Sequence, residues 1–308
     1  MLSRRALLAA PALLAQDKPS WAAPVIDIHL HWRHDLRLSR DANLTHMDGC
    51  GVSRAVLLTR SQAADAAAAL VEKYPQQFIW SVSADITKPE AEILFTQAVR
   101  RGARAFGELK FHVAADGPEL RRAYALAAEL DVPVLVHFQE VDHFPGEGKW
   151  SAGFKNFASV LKAFPKTKFV GHADAFWANI SADYQEDIDY PTGPVQPGGV
   201  TDRLLSDFPN LYGDLSANSG NNGLSRDPEF THGFLLRHQN KLLFGSDCPC
   251  TDGRGANTER AAKRLQGKCV ARQTLSLLHR HLKGSPALRK ITWENAHRLY
   301  RIPPSAAL

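Results

Sequence analysis

The sequence predicts one (β/α)8 barrel, an α/β fold in which eight parallel strands lie inside a ring of helices. Three observations predict it. Eight short apolar runs recur along the chain, stretches with helix start and stop chemistry separate several of them, and 308 residues with 44% apolar content suit one barrel. An open doubly wound sheet is the competing architecture. It calls for a phosphate-binding GxGxxG after the first strand, and the sequence has none there.

The runs are Val25-Ile26-Asp27-Ile28, Ala55-Val56-Leu57-Leu58, Phe78-Ile79-Trp80-Ser81-Val82, Ala105-Phe106-Gly107-Glu108-Leu109, Val134-Leu135-Val136, Lys168-Phe169-Val170, Leu211-Tyr212-Gly213 and Leu242-Leu243-Phe244-Gly245. Several are β-branched or aromatic with Gly, Pro or charge at their edges, as strands buried on both faces require. Between them, residues 63–74 are Ala-rich. Residues 88–101 open on Pro89-Glu90 and stop before Gly102, and Pro118 opens a comparable helix ending near Leu130. Two connections are long, 139–153 and 173–199, and both follow strands. In a barrel they fall on the C-terminal face, where long loops usually serve function.

Charged residues are 22% and net charge is +5, two of those charges being Arg4 and Arg5. No basic run interleaved with aromatics occurs, so no nucleic-acid partner is expected. Arg4-Arg5 precedes the apolar stretch from Ala6 to Ala15, the pattern of a twin-arginine export signal. The stretch is too short to span a bilayer, so no stable membrane anchor is expected. This reading divides the chain into a signal over 1–23 and a barrel over 24–308. Cleavage falls after Ala15 or near Ala22-Ala23, and the mature protein is periplasmic or exported. A frayed Ala-rich helix on a cytoplasmic enzyme is the competing reading. Cys50, Cys248, Cys250 and Cys269 contain no CxxC pair, which argues against a zinc ribbon, and the Cys248-Pro249-Cys250 step is too short for an easy internal bridge. Nothing in the sequence supports a particular oligomeric state.

Chemistry concentrates at the ends of the runs. In Asp27-Ile28-His29-Leu30-His31, residues two apart share one side of a strand, so His29 and His31 can reach one ion. Glu108, His137, His172 and Asp247 each fall at the C-terminal end of a later run. Strand ends distant in sequence converge at a barrel mouth, and six metal-competent side chains there are hard to assign to packing. A structural ion pair with Lys110 or an arginine is the other reading of Glu108. Trp32, His34, Phe138, Gln139, Asp174, Phe176, Trp177, Asn179, Asp214, Ser216 and Asn218 also follow strand ends. Of these, Trp32, Phe138, Trp177 and Asn179 are the expected substrate contacts, although a loop aromatic is as often local core and Asp214 can simply cap a turn.

The strand-end HxH, the later single histidines, Gly245-Ser246-Asp247 and the closing Ile291-Thr292-Trp293-Glu294-Asn295-Ala296-His297-Arg298-Leu299-Tyr300 together resemble the amidohydrolase superfamily, and within it the amidohydrolase-2 group of metal-dependent hydrolases and decarboxylases. The resemblance spans about residues 25–302. It implies that His29, His31 and His137 hold a divalent metal, expected as Zn2+, with Asp247 as a ligand or as the base on bound water. It implies that His172 orients or protonates a small-molecule substrate or serves a second ion, and that Glu108 bridges two ions where two are used. Lys110, as a modified lysine, is the alternative bridge. The implied reaction is hydrolysis of a C–O or C–N bond in a lactone, ester or amide by metal-activated water. The alternatives are a decarboxylase of the same group, which needs a carboxylate-binding arginine such as Arg33 or Arg254, and a non-catalytic ligand-binding barrel. A Ser-His-Asp esterase lacks its GxSxG elbow here. Cys248 and Cys250 depart from the group's pattern after the aspartate; packing or support of the site is the role expected of them, with soft metal ligands or redox-sensitive groups as the alternatives.

Overall fold

A computed structural model describes residues 19–32 and 39–303, with residues 39–42 described by their backbone alone. Each apolar run carries a strand: β1 (Ile26–His31), β2 (Arg54–Arg60), β3 (Phe78–Ser83), β4 (Phe106–Leu109), β5 (Val134–His137), β6 (Phe169–His172), β7 (Leu211–Asp214) and β8 (Leu242–Leu243). All neighbours pair parallel, in the order β1 to β8. The two edges meet through the segment after β8. Ile28 N–H donates to the Phe244 carbonyl at 3.0 Å and Asp247 N–H to the His29 carbonyl at 2.8 Å, which nearly closes the barrel.

The strand bounds differ from expectation where the chemistry lies. β1 runs on through His31, and β5, β6 and β7 each include the polar residue that follows the apolar run. A polar side chain ends an apolar run without ending a ladder, because the ladder is made by backbone groups. β8 is shorter than expected: Phe244 lies outside it, its carbonyl bonded to Ile28 N–H and its N–H to the Ile291 carbonyl, and Gly245 follows outside it.

Helices fill most connections. Ala64–Lys73 follows a short turn at Ser61–Ala63. The expected helix start near Lys88 moves to Ala91–Arg100, because Asp85 caps a turn by accepting from the Thr87 N–H at 3.1 Å and hydroxyl at 2.7 Å. Pro118–Glu129 starts on its proline. The long connection 173–199 is not all loop: it opens with the helix Asp174–Ala178.

Two apolar clusters result. Ile26, Ile28, Val56, Leu58, Ile79, Ala105, Leu135, Val170 and Leu243 fill the barrel and pack with Ala296 and Leu299 of the closing helix Asn295–Leu299 and with Tyr300 directly after it. Asn295 fixes that helix by donating to the carbonyls of Gln239 and Leu242, both at 2.8 Å. The larger cluster lies between strands and outer helices and includes Trp80, Phe95, Phe106, Tyr124 and Phe157.

Residues 1–18, which carry the export pattern, and Arg33 and His34 lie outside the described residues. Trp21 belongs to the fold, its indole N–H donating to the Cys50 carbonyl at 2.7 Å. Among the described residues no helix is long and apolar enough to cross a membrane.

Candidate active site

The mouth is built around β1. The register of β1 against β2 shifts between Asp27 and Leu30, directly beneath His29. Asp27 is fully buried, and its Oδ1 accepts the N–H of His29 and the N–H of Ser246, both at 2.9 Å. One carboxylate oxygen thus ties the HxH of β1 to the Gly-Ser-Asp after β8. Gly245 is required between them. A side chain there would place its Cβ 2.3 Å from Asp214 Oδ1 and 2.9 Å from the His29 Cβ. Asp247 sits at φ +44, an unfavourable backbone conformation for a non-glycine residue, and the N–H bond to His29 holds it there.

Glu108 is positioned in a similar way. β4 shifts register against β5 between Phe106 and Leu109, and Gly107 takes φ +118 with no room for a Cβ beside the Leu135 carbonyl, 2.5 Å away. The turn of the chain at Gly107 delivers the Glu108 carboxylate to the mouth.

The six expected ligands come together. His29 Nε2 lies 3.3 Å from His31 Nε2 and 3.8 Å from Asp247 Oδ1. His31 Nε2 lies 3.3 Å from Asp247 Oδ1 and 3.5 Å from Glu108 Oε2. The other Glu108 oxygen, Oε1, faces His137 Nδ1 at 2.5 Å and His172 Nε2 at 3.5 Å. His29, His31 and Glu108 form one compact donor set, Glu108, His137 and His172 a second, and His29, His172 and Asp247 a third. Donors about 2.1 Å from a shared ion stand about 3.0–3.4 Å apart. Most of the observed spacings need only small closure to reach that range, and the 2.5 Å between Glu108 Oε1 and His137 Nδ1 needs a small opening. Imidazole nitrogens and carboxylate oxygens are also the donor types such ions take.

Beneath them lies a supporting layer that the sequence left ambiguous. Asp214 Oδ2 accepts from His29 Nδ1 at 2.7 Å, and Ser216 Oγ bonds Asp214 Oδ2 at 2.7 Å and reaches His172 Nδ1 at 2.9 Å. Asp214 is therefore more than a turn cap: it orients His29 so that Nε2 faces the mouth. Such partners typically contribute 10–100-fold in metal affinity. We expect Asp214→Asn to weaken metal binding by about that factor while leaving the fold intact, as read by competition with a chelator of known affinity.

The charges are interdependent. Burial pulls the His29 imidazole down, yet Asp247, Asp214 and Glu108 outweigh it and lift it to about 9. His31 is raised too, its desolvation overcome by Asp247 and Glu108. Burial pushes Glu108 and Asp247 up, but the neighbouring imidazoles win and hold both below the usual carboxylate range. His172 goes the other way, lowered by burial and by the charge on His29. In the metal-free chain His29 and His31 hold protons at neutral pH, and an ion must displace them. Metal affinity should therefore climb as pH rises towards 9. Titration calorimetry in buffers of different ionisation heat should count protons leaving on binding, and proton-free binding at neutral pH would contradict the charge pattern.

The cluster opens into a cavity of about 790 Å³ walled by His31, Thr59, Arg60, Gln62, Asp85, Glu108, Lys110, Phe111, His137, Trp150 and Asp247. None of the four expected substrate contacts, Trp32, Phe138, Trp177 and Asn179, lines this cavity. Phe138, Trp177 and Asn179 are each 1% exposed and do not line the cavity. Phe138 packs in a cluster with Phe154, tilted against it, and Phe157, edge-on to it, Trp177 donates to the Asp214 carbonyl at 2.8 Å, and Asn179 donates to the Ala175 carbonyl at 2.8 Å. Phe138 follows its strand directly and the other two ride on the helix behind β6, so their side chains join the layer behind the barrel. Trp32 is half-buried against the same layer and is not part of the cavity wall. Gln139 supports the site instead, its Oε1 lying 3.0 Å from His137 Nε2. Lys110 lies in the wall with its ammonium 4.9 Å over the Trp150 ring and 3.9 Å from Glu147 Oε1, so the cation near Glu108 is a wall residue. Among the described residues the arginine in the cavity wall is Arg60, at the end of β2, whereas the decarboxylase alternative had named Arg33 or Arg254. Arg60 was not singled out from the sequence, although its place directly after the apolar run 55–58 and Thr59 could have pointed to it.

The fold and the mouth define a barrel of the (β/α)8 type with a metal-competent cluster at the C-terminal ends of its strands. The chain belongs to the amidohydrolase family, whose model matches residues 26–302. Among solved structures it is similar to an Acinetobacter baumannii protein assigned as a 2-pyrone-4,6-dicarboxylic acid hydrolase, with citric acid bound (TM-score 0.55, 14% identity, 90% of this chain and 99% of that one). It is also similar to a 2,6-dihydroxybenzoate decarboxylase from Rhizobium (TM-score 0.54, 13% identity, 91% and 99%). A 5-carboxyvanillate decarboxylase from Novosphingobium aromaticivorans with bound manganese is a third (TM-score 0.59, 12% identity, 91% and 98%). At these identities the likeness is one of fold. No curated relative matches the chain by sequence. The family is metal-dependent, and its similar structures include both hydrolases and decarboxylases.

Proposed function

We propose that the protein is a metal-dependent hydrolase that cleaves a C–O or C–N bond in a small substrate bearing a carboxylate. One observation carries this reading: Asp247 Oδ1 stands 3.3 Å from His31 Nε2 in a mouth where the two oxygens of Glu108 face different histidine pairs. A carboxylate that faces two donor sets suits two ions, an arrangement common in hydrolytic sites. His29, His31 and Asp247 would hold one ion, His137 and His172 the other, with Glu108 between them. A bound divalent ion, zinc or a similar metal, supplies Lewis acidity and lowers the pKa of water. Asp247, ionised at neutral pH, accepts the proton from the attacking water. The same carboxyl then returns that proton to the leaving group, while His172, kept neutral by burial and by the charge on His29, is in the form that ligates an ion. Arg60 and Lys110 in the cavity wall anchor the substrate carboxylate.

Arg60 and Lys110 also favour a second reading, decarboxylation, because the carboxylate they hold is the group a decarboxylase releases. The test compares carboxylated lactones, esters and amides with hydroxybenzoates, using chelator-stripped chain with and without returned metal. Metal-restored hydrolysis with no CO2 supports the hydrolase. Metal-restored CO2 release from the benzoates alone replaces it with the decarboxylase.

A further inference from the structure

A second donor cluster lies apart from the mouth. His46, Cys248, Cys250 and Cys269 come from three separate places in the chain: the helix Ser39–Cys50, the segment after β8, and the residue preceding the helix Val270–Leu282. All four are buried. Cys248 Sγ lies 3.2 Å from Cys250 Sγ and 3.9 Å from Cys269 Sγ, and Cys250 Sγ lies 3.5 Å from His46 Nδ1. In a tetrahedral zinc site with Zn–S near 2.3 Å and Zn–N near 2.0 Å, sulfurs stand about 3.8 Å apart and sulfur stands about 3.5 Å from nitrogen. Two of the three spacings match that tetrahedron, and the third needs a small opening. None is near the roughly 2.05 Å of a disulfide. Cys50 is outside the set, its thiol directed at the Met47 carbonyl at 3.6 Å.

We propose that these four residues form a structural metal centre of the Cys3His type for zinc or a comparably thiophilic divalent ion. Three thiols and an imidazole converging in a buried pocket make a poor apolar core and a good ligand set. The segment that carries two of the ligands is already shaped to receive an ion. Asp252 Oδ1 accepts the N–H groups of Arg254, Gly255 and Ala256 at 2.8–3.0 Å, and the loop packs so closely on the first helix that a Cβ on Gly49 would strike the Asp252 carbonyl. The ion would staple this segment to two helices. Cys248 directly follows Asp247, so the staple would also hold the position of the proposed base. The CxC spacing conceals the site from a search for CxxC, because the other two ligands arrive from distant elements.

The test uses the whole chain loaded with Co2+. The mouth offers no sulfur donor, so a sulfur-to-cobalt charge-transfer band in the near ultraviolet reads this centre alone. The expected result is a band that saturates at one thiolate-bound ion per chain, is lost in Cys250→Ser and is altered in His46→Gln. A second measurement on the zinc protein is independent of whether those variants fold: a thiol-blocking mercurial should release one ion per chain into a metallochromic dye. Co2+ uptake without the band, or a native mass two hydrogens light from a disulfide among these cysteines, would overturn the proposal.

Discussion

Asp247→Asn should lower turnover by about 10²–10⁴-fold at saturating metal, the usual contribution of a positioned general base. Asparagine keeps the shape of the side chain and can keep the left-handed backbone that residue 247 adopts at φ +44, a conformation it tolerates better than most residues. What it loses is the capacity to accept a proton. The Asp247 carboxylate is buried, which alone would push its pKa up, but His29 and His31 hold it down and ionised. The loss should appear in kcat with little change in KM, because the proton moves only as the reaction proceeds. Steady-state kinetics at matched metal content checks this. Undiminished turnover in the asparagine variant would remove Asp247 from the chemistry.

Glu108→Gln has the second large effect expected. Its Oε2 faces His29 at 3.8 Å and His31 at 3.5 Å, whereas Oε1 faces His137 and His172. An amide keeps the volume but offers one poor oxygen donor and one nitrogen that cannot ligate. The variant should carry one ion fewer per chain than the parent, and hydrolysis should fall by at least about tenfold, the lower bound for loss of a metal-site carboxylate partner. Elemental analysis of the two proteins side by side gives the difference directly, and ions held elsewhere cancel. Equal metal content would reduce Glu108 to an ion-pair partner of His137.

Much of this was legible in the residues. Every apolar run became a strand, because a strand buried on both faces must be apolar throughout. The cluster at the mouth was legible because β1, β4, β5, β6 and the segment after β8 each carry a metal-competent side chain at or near the strand end, and barrel topology brings those ends together. Less was legible where direction mattered. Phe138, Trp177 and Asn179 lie next to strand ends in sequence, yet the chain turns after His137 and after His172, and their side chains pack behind the barrel. The roles of Asp27, Asp214 and Ser216 depend on which atom each carboxylate or hydroxyl reaches, and sequence spacing does not encode that. His46 was unreadable as a partner of Cys248 and Cys250 because nothing local links residues about 200 positions apart, and Cys269, 21 residues after Cys248, carries no spacing motif that marks it.

The central claim is that side chains from distant strand ends share a divalent ion at the mouth. A crystal of the zinc-loaded protein, measured at the metal's absorption edge, tests it most directly. The account predicts an anomalous peak about 2.0–2.2 Å from His29 Nε2 and His31 Nε2 and within bonding reach of the Glu108 or Asp247 carboxylate. A loaded crystal with no peak between these side chains would contradict it.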